Sequence, residues 1–462
     1  MDPARSAALR RLLLVSLGLS LLATLKPTEH IRPSNLSSAV NVTENVPSNI
    51  STPAVHSSEP LDTPPTRQTP VQNHIYKLES GVGDPSQEAF RLDQELLARG
   101  WDAKRYPWRM IQQGASRKAI LYGTAWAQQM IWDHQHPRDC RDAKVLIFRT
   151  GPSGIGSMLH QLGQALALAM ELDRVLVVPV KDTLLQYYDK RFCPGAHSWQ
   201  CWLQEIGPCA HVHGDVMKVD KPYTQTTRPV PTRFHEMLAQ SPIKKDFWLY
   251  WWRAQSITYL LRFQERTRHA IDKLRSESLV SCGRHVNSSG MLAAGSMATF
   301  VRHGFKSRSD YIRGMQRLAA GRQDLRILHR EVAESNASFQ YPAESFAARN
   351  IFVSTDDPDV IKAAQKLCNR GWNVTYVEKR RGNYDPWMHL RPGKAARREV
   401  LSAFMNLELA LESDAWVCTL SSNWCRLIDE LRMTAAAKAS QPFLNLEKVP
   451  CKAGKPQCYL GW

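Results

Sequence analysis

The sequence contains no Cys-x-x-Cys pair, no Gly-x-x-x-x-Gly-Lys-Ser/Thr loop and no Gly-x-Gly-x-x-Gly turn. A zinc-type ligand spacing, the Walker phosphate loop and the dinucleotide fingerprint are therefore excluded as organising motifs. The apolar run at 12–25 stops at Lys26, short of the roughly 20 residues that span a bilayer. Acidic residues are comparatively few: 43 Asp plus Glu face 60 Lys plus Arg, for a net charge of +17. That imbalance suggests an anionic partner, whether nucleic acid, an acidic membrane surface or a phosphorylated small molecule. Otherwise the 462 residues, 43% hydrophobic and 22% charged, are ordinary for a globular chain and exclude a wholly disordered or polytopic membrane protein.

Arg5, Arg10 and Arg11 precede the short apolar run, as in a secretory signal whose cationic flank stays cytosolic. The run fits either a cleaved signal core or a short anchor, and the lack of a small-x-small site after it favours an anchor over 1–26. Residues 27–75 are rich in Pro, Ser and Thr with almost no aromatics, bury too little surface to offset ordering entropy, and read as a disordered stalk. Asn35, Asn41 and Asn49 head N-glycosylation sequons in that stalk, and Asn287, Asn336 and Asn373 head others. Clustered sequons behind a signal place the rest of the chain in the secretory lumen, and ten cysteines agree with that compartment. Cys418 with Cys425, and Cys451 with Cys458, are plausible disulfide pairs. Cys201, Cys209, His211 and His213 can be drawn as a metal set but lack zinc spacing.

A helical pattern over 86–135, carried by Phe90, Leu92, Leu96 and Leu97 and then by Ile120, Trp126, Met130 and Ile131, predicts helices that brace or dimerise the chain, within a segment 76–139. Beyond Cys140, short apolar runs at 145–148, 175–178, 298–301, 351–353, 374–377 and 416–420 alternate with amphipathic stretches, which predicts strands of α/β type. Val400, Phe404, Leu407 and Leu411 recur at helical spacing and predict a crossover helix feeding a parallel strand. The expected architecture is α/β, with two Rossmann-like lobes at 140–285 and 286–440 facing each other across a cleft, and a disulfide-containing tail at 441–462. A nucleotide and an acceptor can meet in such a cleft.

Candidate chemistry lies in the turns. The run at 145–148 leads into a loop holding Gly151, Gly154 and Gly156 and then a helix, so bare amides at the helix start offer either an anion site or a tight structural turn. Arg302 and Lys306 follow the run at 298–301, at the mouth of the sheet. A guanidinium there can grip two phosphate oxygens, and a solvated loop is the plainer alternative. Ser421 and Ser422 precede a helix beginning near Asn423, placed to cap it and to aim its amides at a phosphate. Asp357-Pro-Asp359 spells a D-x-D string that can hold a divalent ion with a nucleotide diphosphate, yet the same acids directly before a helix make an ordinary cap.

In order along the chain stand Pro137-Arg-Asp-Cys140, the Gly154-Ile-Gly156 loop, Trp251-Trp252 with Tyr259-Leu260, Val301-Arg302 with Lys306, Thr355-Asp-Asp-Pro358 and Cys418-Thr-Leu-Ser-Ser-Asn-Trp-Cys425. Together they resemble the core α-1,6-fucosyltransferase family over about 137–430. The resemblance implies a GT-B-like, single-pass type II Golgi enzyme that takes GDP-fucose as donor, inverts the anomeric carbon and needs no metal or other cofactor. It implies Arg302 on the donor diphosphate, with Gly154, Gly156, Ser422, Asn423 and Asp357 also at the donor. Lys306 coupled to Asp310 would supply the general base.

This chain departs from the family at Phe300, where the family has His, and at His303, Phe305 and Asn406. Ser153 and Ser157 replace a cysteine pair, and 426–462 is too short for the family's C-terminal SH3-like domain. The leading expectation is fucosyl transfer to a glycan, such as an N-glycan core in α-1,6 linkage. The departures also admit another nucleotide sugar or acceptor, or an inactive glycan-binding protein. Expected partners are the nucleotide sugar, the glycan, the membrane through 1–26 and a second copy through 86–135. Nucleic acid is not among them, since signal, stalk and disulfides point to a compartment without it.

Overall fold

The computed structural model describes residues 85–101, 119–149, 153–179, 187–195, 198–210, 215–219, 230–286, 292–301, 307–320, 349–379 and 393–447, all within one compact unit, Pro70–Trp462. Helices α1 (Pro85–Arg99) and α2 (Thr124–Gln135) come first. Asp93 of α1 is buried and accepts from the Gly123 and Ala125 amides at 2.6 and 2.8 Å, so one helix caps the start of the next. Burial pushes the Asp93 carboxyl up to about 8, against the downward pull of those amides. Ala89, Ala127 and Ile131 are buried in the chain's own core, while Leu92, Leu96 and Leu97 are half-buried. Ile120 departs from the expected helix: it follows Ala119, which bridges to Lys438 in extended conformation.

Three parallel strands, β1 (Val145–Phe148), β2 (Val175–Val177) and β3 (Val216–Val219), make a small sheet in the order β2-β1-β3. Helix α3 (Ile155–Glu171) carries the chain from β1 to β2 and packs on α4 (Trp248–Leu260). The two backbones approach closely at Gly163, where a Cβ would lie 2.6 Å from the Ser256 hydroxyl. Trp252 donates to the Gly163 carbonyl at 3.2 Å across the same contact. Every residue of α4 from Tyr250 to Leu260 is buried, so it has no polar face to show in the sequence.

After α5 (Glu265–Ser278) the larger sheet is built from β4 (Leu279–Ser281), β5 (Arg284–His285), β6 (Met297–Val301), β7 (Asn350–Thr355), β8 (Asn373–Val377), β9 (Ala415–Cys418) and β10 (Phe443–Asn445). Helices α6 (Arg308–Ala319), α7 (Pro358–Gln365), α8 (Lys394–Glu412) and α9 (Asn423–Met433) fall between its later strands. The order is β10-β9-β6-β7-β8-β4-β5, with β10 through β8 parallel and β4 and β5 antiparallel at one edge. The chain lays β7 and β8 on one side of β6, then crosses by α8 to place β9 and β10 on the other. This is the doubly wound arrangement, whose switch point lies between β6 and β9. Val400, Phe404, Leu407 and Leu411 are all buried, as a crossover helix requires.

The sheet extends past both ends of the expected 286–440 span. Leu279 of β4 pairs with Val377, and Phe443 of β10 pairs with Trp416. Strands this short declare no sheet by their own periodicity, because the partner that fixes them is distant in sequence. One hydrophobic core reaches from Ala89 through Leu166, Ile257 and Leu427 to Phe443. Among the described residues the disulfides are Cys140–Cys209, Cys193–Cys201, Cys282–Cys368 and Cys418–Cys425. Cys201 and Cys209 are thus bonded to other cysteines, which removes them from any metal set. No described helix is long and apolar enough to cross a membrane. The segments 1–26 and 27–75 lie outside the described residues, with Asn35, Asn41, Asn49, Asn287, Asn336, His211, His213, Cys451 and Cys458. Asn373 is exposed at the start of β8 and donates to Asn350 Oδ1 at 3.1 Å.

Candidate active site

Each sheet has a strand with neighbours on both sides whose C-terminal end opens into a turn and then a helix. In the small sheet this is β1, the glycine loop and α3; in the large one it is β9, the turn Thr419–Ser422 and α9. Such switch points are where open α/β sheets bind ligands. The structure brings these two helix starts together. A Cβ on Gly156 would lie 3.2 Å from the carbonyl carbon and the Cβ of Asn423, so only glycine allows the contact without displacement. Asn423 donates its amide to the Ser157 hydroxyl at 2.7 Å, and its other end accepts from Arg426 at 3.4 Å. The expected donor residues Gly154, Gly156, Ser422 and Asn423 therefore occupy one place.

Neither helix has a side-chain cap. Gly154 supplies none to α3, and Ser422, in the N-cap position of α9, makes no capping hydrogen bond. That corrects the expectation for serine at this turn. Ser421 is drawn away to Glu447, to which its amide donates at 2.8 Å. Among the described residues the Ser422 hydroxyl has no acceptor and is buried, on a residue only 1% exposed. Ser153 Oγ and Trp424 Nε1 are likewise buried with no partner among the described residues, as is Asp356 Oδ1 at the end of β7. Sequence reading passed over Ser153, Asp356 and Trp424 as ligand contacts, because composition and spacing do not distinguish an orphaned polar atom from a satisfied one.

Behind these starts lies a buried cluster. His160 of α3 meets Glu430 of α9 at 2.8 Å, and Arg253 of α4 approaches the other Glu430 oxygen at 3.3 Å. Burial pushes the His160 imidazole below its ordinary range despite the adjacent carboxylate. The cluster locks α3, α4 and α9 together beneath the turns.

The remaining predicted residues are dispersed. Arg302 and Lys306 lie outside the described residues, immediately beyond the end of β6. Asp310 closes a capping box with Ser307 at the start of α6 and pairs with Arg313 at 2.7 Å. Those hydrogen bonds hold its carboxyl below the usual range. Asp357 caps α7 by accepting from the Asp359 amide at 2.8 Å, and Arg308 lies 3.5 and 3.4 Å from the two carboxylates. The D-x-D string thus has the helix-capping geometry. Asn406 turns inward, donating to the Ser402 carbonyl of its own helix at 2.6 Å. A separate apolar cleft between β2 and 199–210, walled by Leu176, Val178, Leu203 and Leu260, has no charged lining residue and includes neither turn.

No family model matches the chain. An α-(1,6)-fucosyltransferase of Drosophila melanogaster is 22% identical over 353 residues, which are 70% of this chain and 49% of that protein. The chain thus spans about half the length of that curated relative. Among solved structures, NodZ α-1,6-fucosyltransferase soaked with GDP-fucose is 15% identical at a TM-score of 0.34, covering 62% of this chain and 92% of NodZ. A FUT1 mutant of Arabidopsis thaliana in complex with GDP is 11% identical at 0.37, covering 73% and 84%. By sequence the chain is similar to that α-(1,6)-fucosyltransferase over 70% of its length.

Proposed function

We propose that the protein is an inverting glycosyltransferase that moves fucose from GDP-fucose to a glycan hydroxyl, with an N-glycan core as the acceptor and α-1,6 as the linkage. The observation that carries this reading is the junction at Gly156 and Asn423, where two uncapped helix starts meet beside the buried, acceptorless hydroxyl of Ser422. Helix N-termini carry partial positive charge and free amides. As the bond from fucose to GDP breaks, positive charge grows on the sugar ring and negative charge on the departing diphosphate. Fixed donors at the diphosphate stabilise that change without having to reorganise. Arg302, the residue that follows β6 in the sequence, is assigned the diphosphate by that sequence position, and Lys306 follows four residues later. Asp310 is the base candidate: held low by Ser307 and Arg313, it is ionised at neutral pH, as a base must be, and correspondingly weak.

One observation favours a second reading with another nucleotide. Asn406 spends its amide on Ser402, so an uncharged, inward-turned side chain stands where the family has an acid for guanine. Thermal unfolding of the full-length chain separates the two. GDP at a hundredfold excess over its dissociation constant stabilises by about 2.7 kcal/mol under the first reading; a response to UDP alone supports the second, and no response to either sinks both. Asp310→Asn should abolish transfer with GDP binding intact, and unchanged turnover removes Asp310 from the mechanism. The same reading places the protein in the Golgi membrane as a single-pass type II chain with its catalytic part lumenal, supported by the sequons and disulfides. A homodimer through 86–135 would have to cover Leu92, Leu96 and Leu97, the half-buried leucines of α1.

A further inference from the structure

Trp424 is the second residue of α9, and its indole N–H is buried without an acceptor, as is the hydroxyl of Ser422 two residues earlier. A buried donor left unpaired is destabilising. Neither of these two donors at one helix start has an acceptor among the described residues, so both stand ready for acceptors on a ligand. An indole nitrogen can only donate, so whatever meets it brings an oxygen or another lone pair. Phe300, the penultimate residue of β6, lies beside it, with ring centroids 6.3 Å apart and planes inclined by 45°. Both side chains are partly buried against the core. The two rings are apolar apart from the one indole donor, a composition that suits a diphosphate poorly. It suits a hexose that offers C–H and methyl edges together with a hydroxyl or ring oxygen.

Resting on the nucleotide-sugar reading above, we propose that Trp424 and Phe300 hold the transferred sugar. The Trp424 indole donates to a sugar oxygen, and Phe300 packs against the C5 methyl of a 6-deoxyhexose while the helix starts hold the diphosphate. A sugar with a hydroxyl on that methyl would have to desolvate it against Phe300 with no partner, so the wall selects deoxy over hydroxy sugars.

Calorimetric titration of the full-length protein with GDP, GDP-L-fucose and GDP-L-galactose tests this, since the last two differ only by the oxygen at C6. The wild type should prefer GDP-L-fucose over GDP-L-galactose by at least tenfold, and Phe300→Ser should bring that preference below threefold. Trp424→Phe keeps a ring and removes the donor. It should weaken GDP-L-fucose about tenfold, or 1.4 kcal/mol, and GDP less than threefold. Equal losses for GDP and GDP-L-fucose, unaltered affinity for both, or a wild type indifferent to the C6 oxygen would each overturn the proposal. A wild type that binds neither GDP nor GDP-L-fucose overturns the donor reading itself, and is recognised before any variant is made.

Discussion

The two strand–turn–helix units that meet at the site solve one problem in different ways. Both bring an uncapped helix start to a shared point from a switch point among parallel strands. In the β9–α9 unit the turn is locked covalently: Cys418 closes the strand onto Cys425 in the first turn of the helix. Arg426 holds the turn again by donating to the Leu420 carbonyl. In the β1–α3 unit serines stand at 153 and 157, and no disulfide spans the loop. Its helix start takes its position from the neighbour, through Gly156 against Asn423, Ser157 under the Asn423 amide and His160 on Glu430. One unit is preorganised and the other is registered against it. Donor geometry at the site therefore depends on the contact between the units as much as on either turn.

Breaking the deepest part of that contact should have the largest effect. Glu430→Ala leaves an imidazole and a guanidinium inside the core short of their carboxylate, and removing one partner of a buried ion pair costs about 3–5 kcal/mol. Urea unfolding should show the loss, and a change below about 1 kcal/mol would mean that the cluster does not join the units. Next comes the covalent lock. Replacing Cys418 and Cys425 together by serine opens a loop with a sequence separation of only 7. Short loops constrain the unfolded chain little, and the expected cost is about 2 kcal/mol. If the comparison is right, GDP affinity falls more than this modest loss of stability suggests, because the preorganised unit has become like the other.

A pH series sharpens the comparison further. The folded pKa of His160 lies below its unfolded value near 6.5, so its contribution to stability is complete above that pH and is lost as pH falls through the folded value. Where only the unfolded chain takes up the proton, stability drops by up to about 1.4 kcal/mol per pH unit. His160→Gln should show a correspondingly shallower decline between pH 6.5 and 5 in parallel denaturation curves. Identical slopes would show that His160 is not neutral in the folded protein.

Much of this arrangement was legible in the sequence because local signals sufficed. The runs at 145–148, 351–353 and 374–377 became strands, and the period of Val400, Phe404, Leu407 and Leu411 became the crossover helix. The glycine loop and the Cys418 to Cys425 turn could be named as strand–turn–helix junctions from their residue types alone. What escaped depended on distant partners. Nothing in Leu279-Val-Ser announces an edge strand of the second sheet, since its place is fixed by Val377 and Tyr376. Cys282 and Cys368 are joined across a sequence separation of 86, which no turn predicts. Ser422 illustrates the limit at the site: its residue type says cap, but whether its hydroxyl reaches an amide is set by the conformation of the turn.

The lightest of the contacts between the units is the Asn423 to Ser157 hydrogen bond, 2.7 Å long and part-buried. Ser157→Ala removes the acceptor and leaves the Asn423 amide to find water at the edge of the junction. A neutral hydrogen bond of this kind contributes about 1 kcal/mol, the smallest stability change of the series. Its effect on binding is the more informative number. Asn423 is held from both ends, by Ser157 and by Arg426, so losing one end frees the amide to rotate without moving the helix. GDP affinity should then fall only a few-fold, whereas opening the Cys418–Cys425 lock should lower it further. If Ser157→Ala instead weakens GDP as much as the double cysteine variant, the β1–α3 unit has its own hold on the diphosphate and is not merely registered by its neighbour.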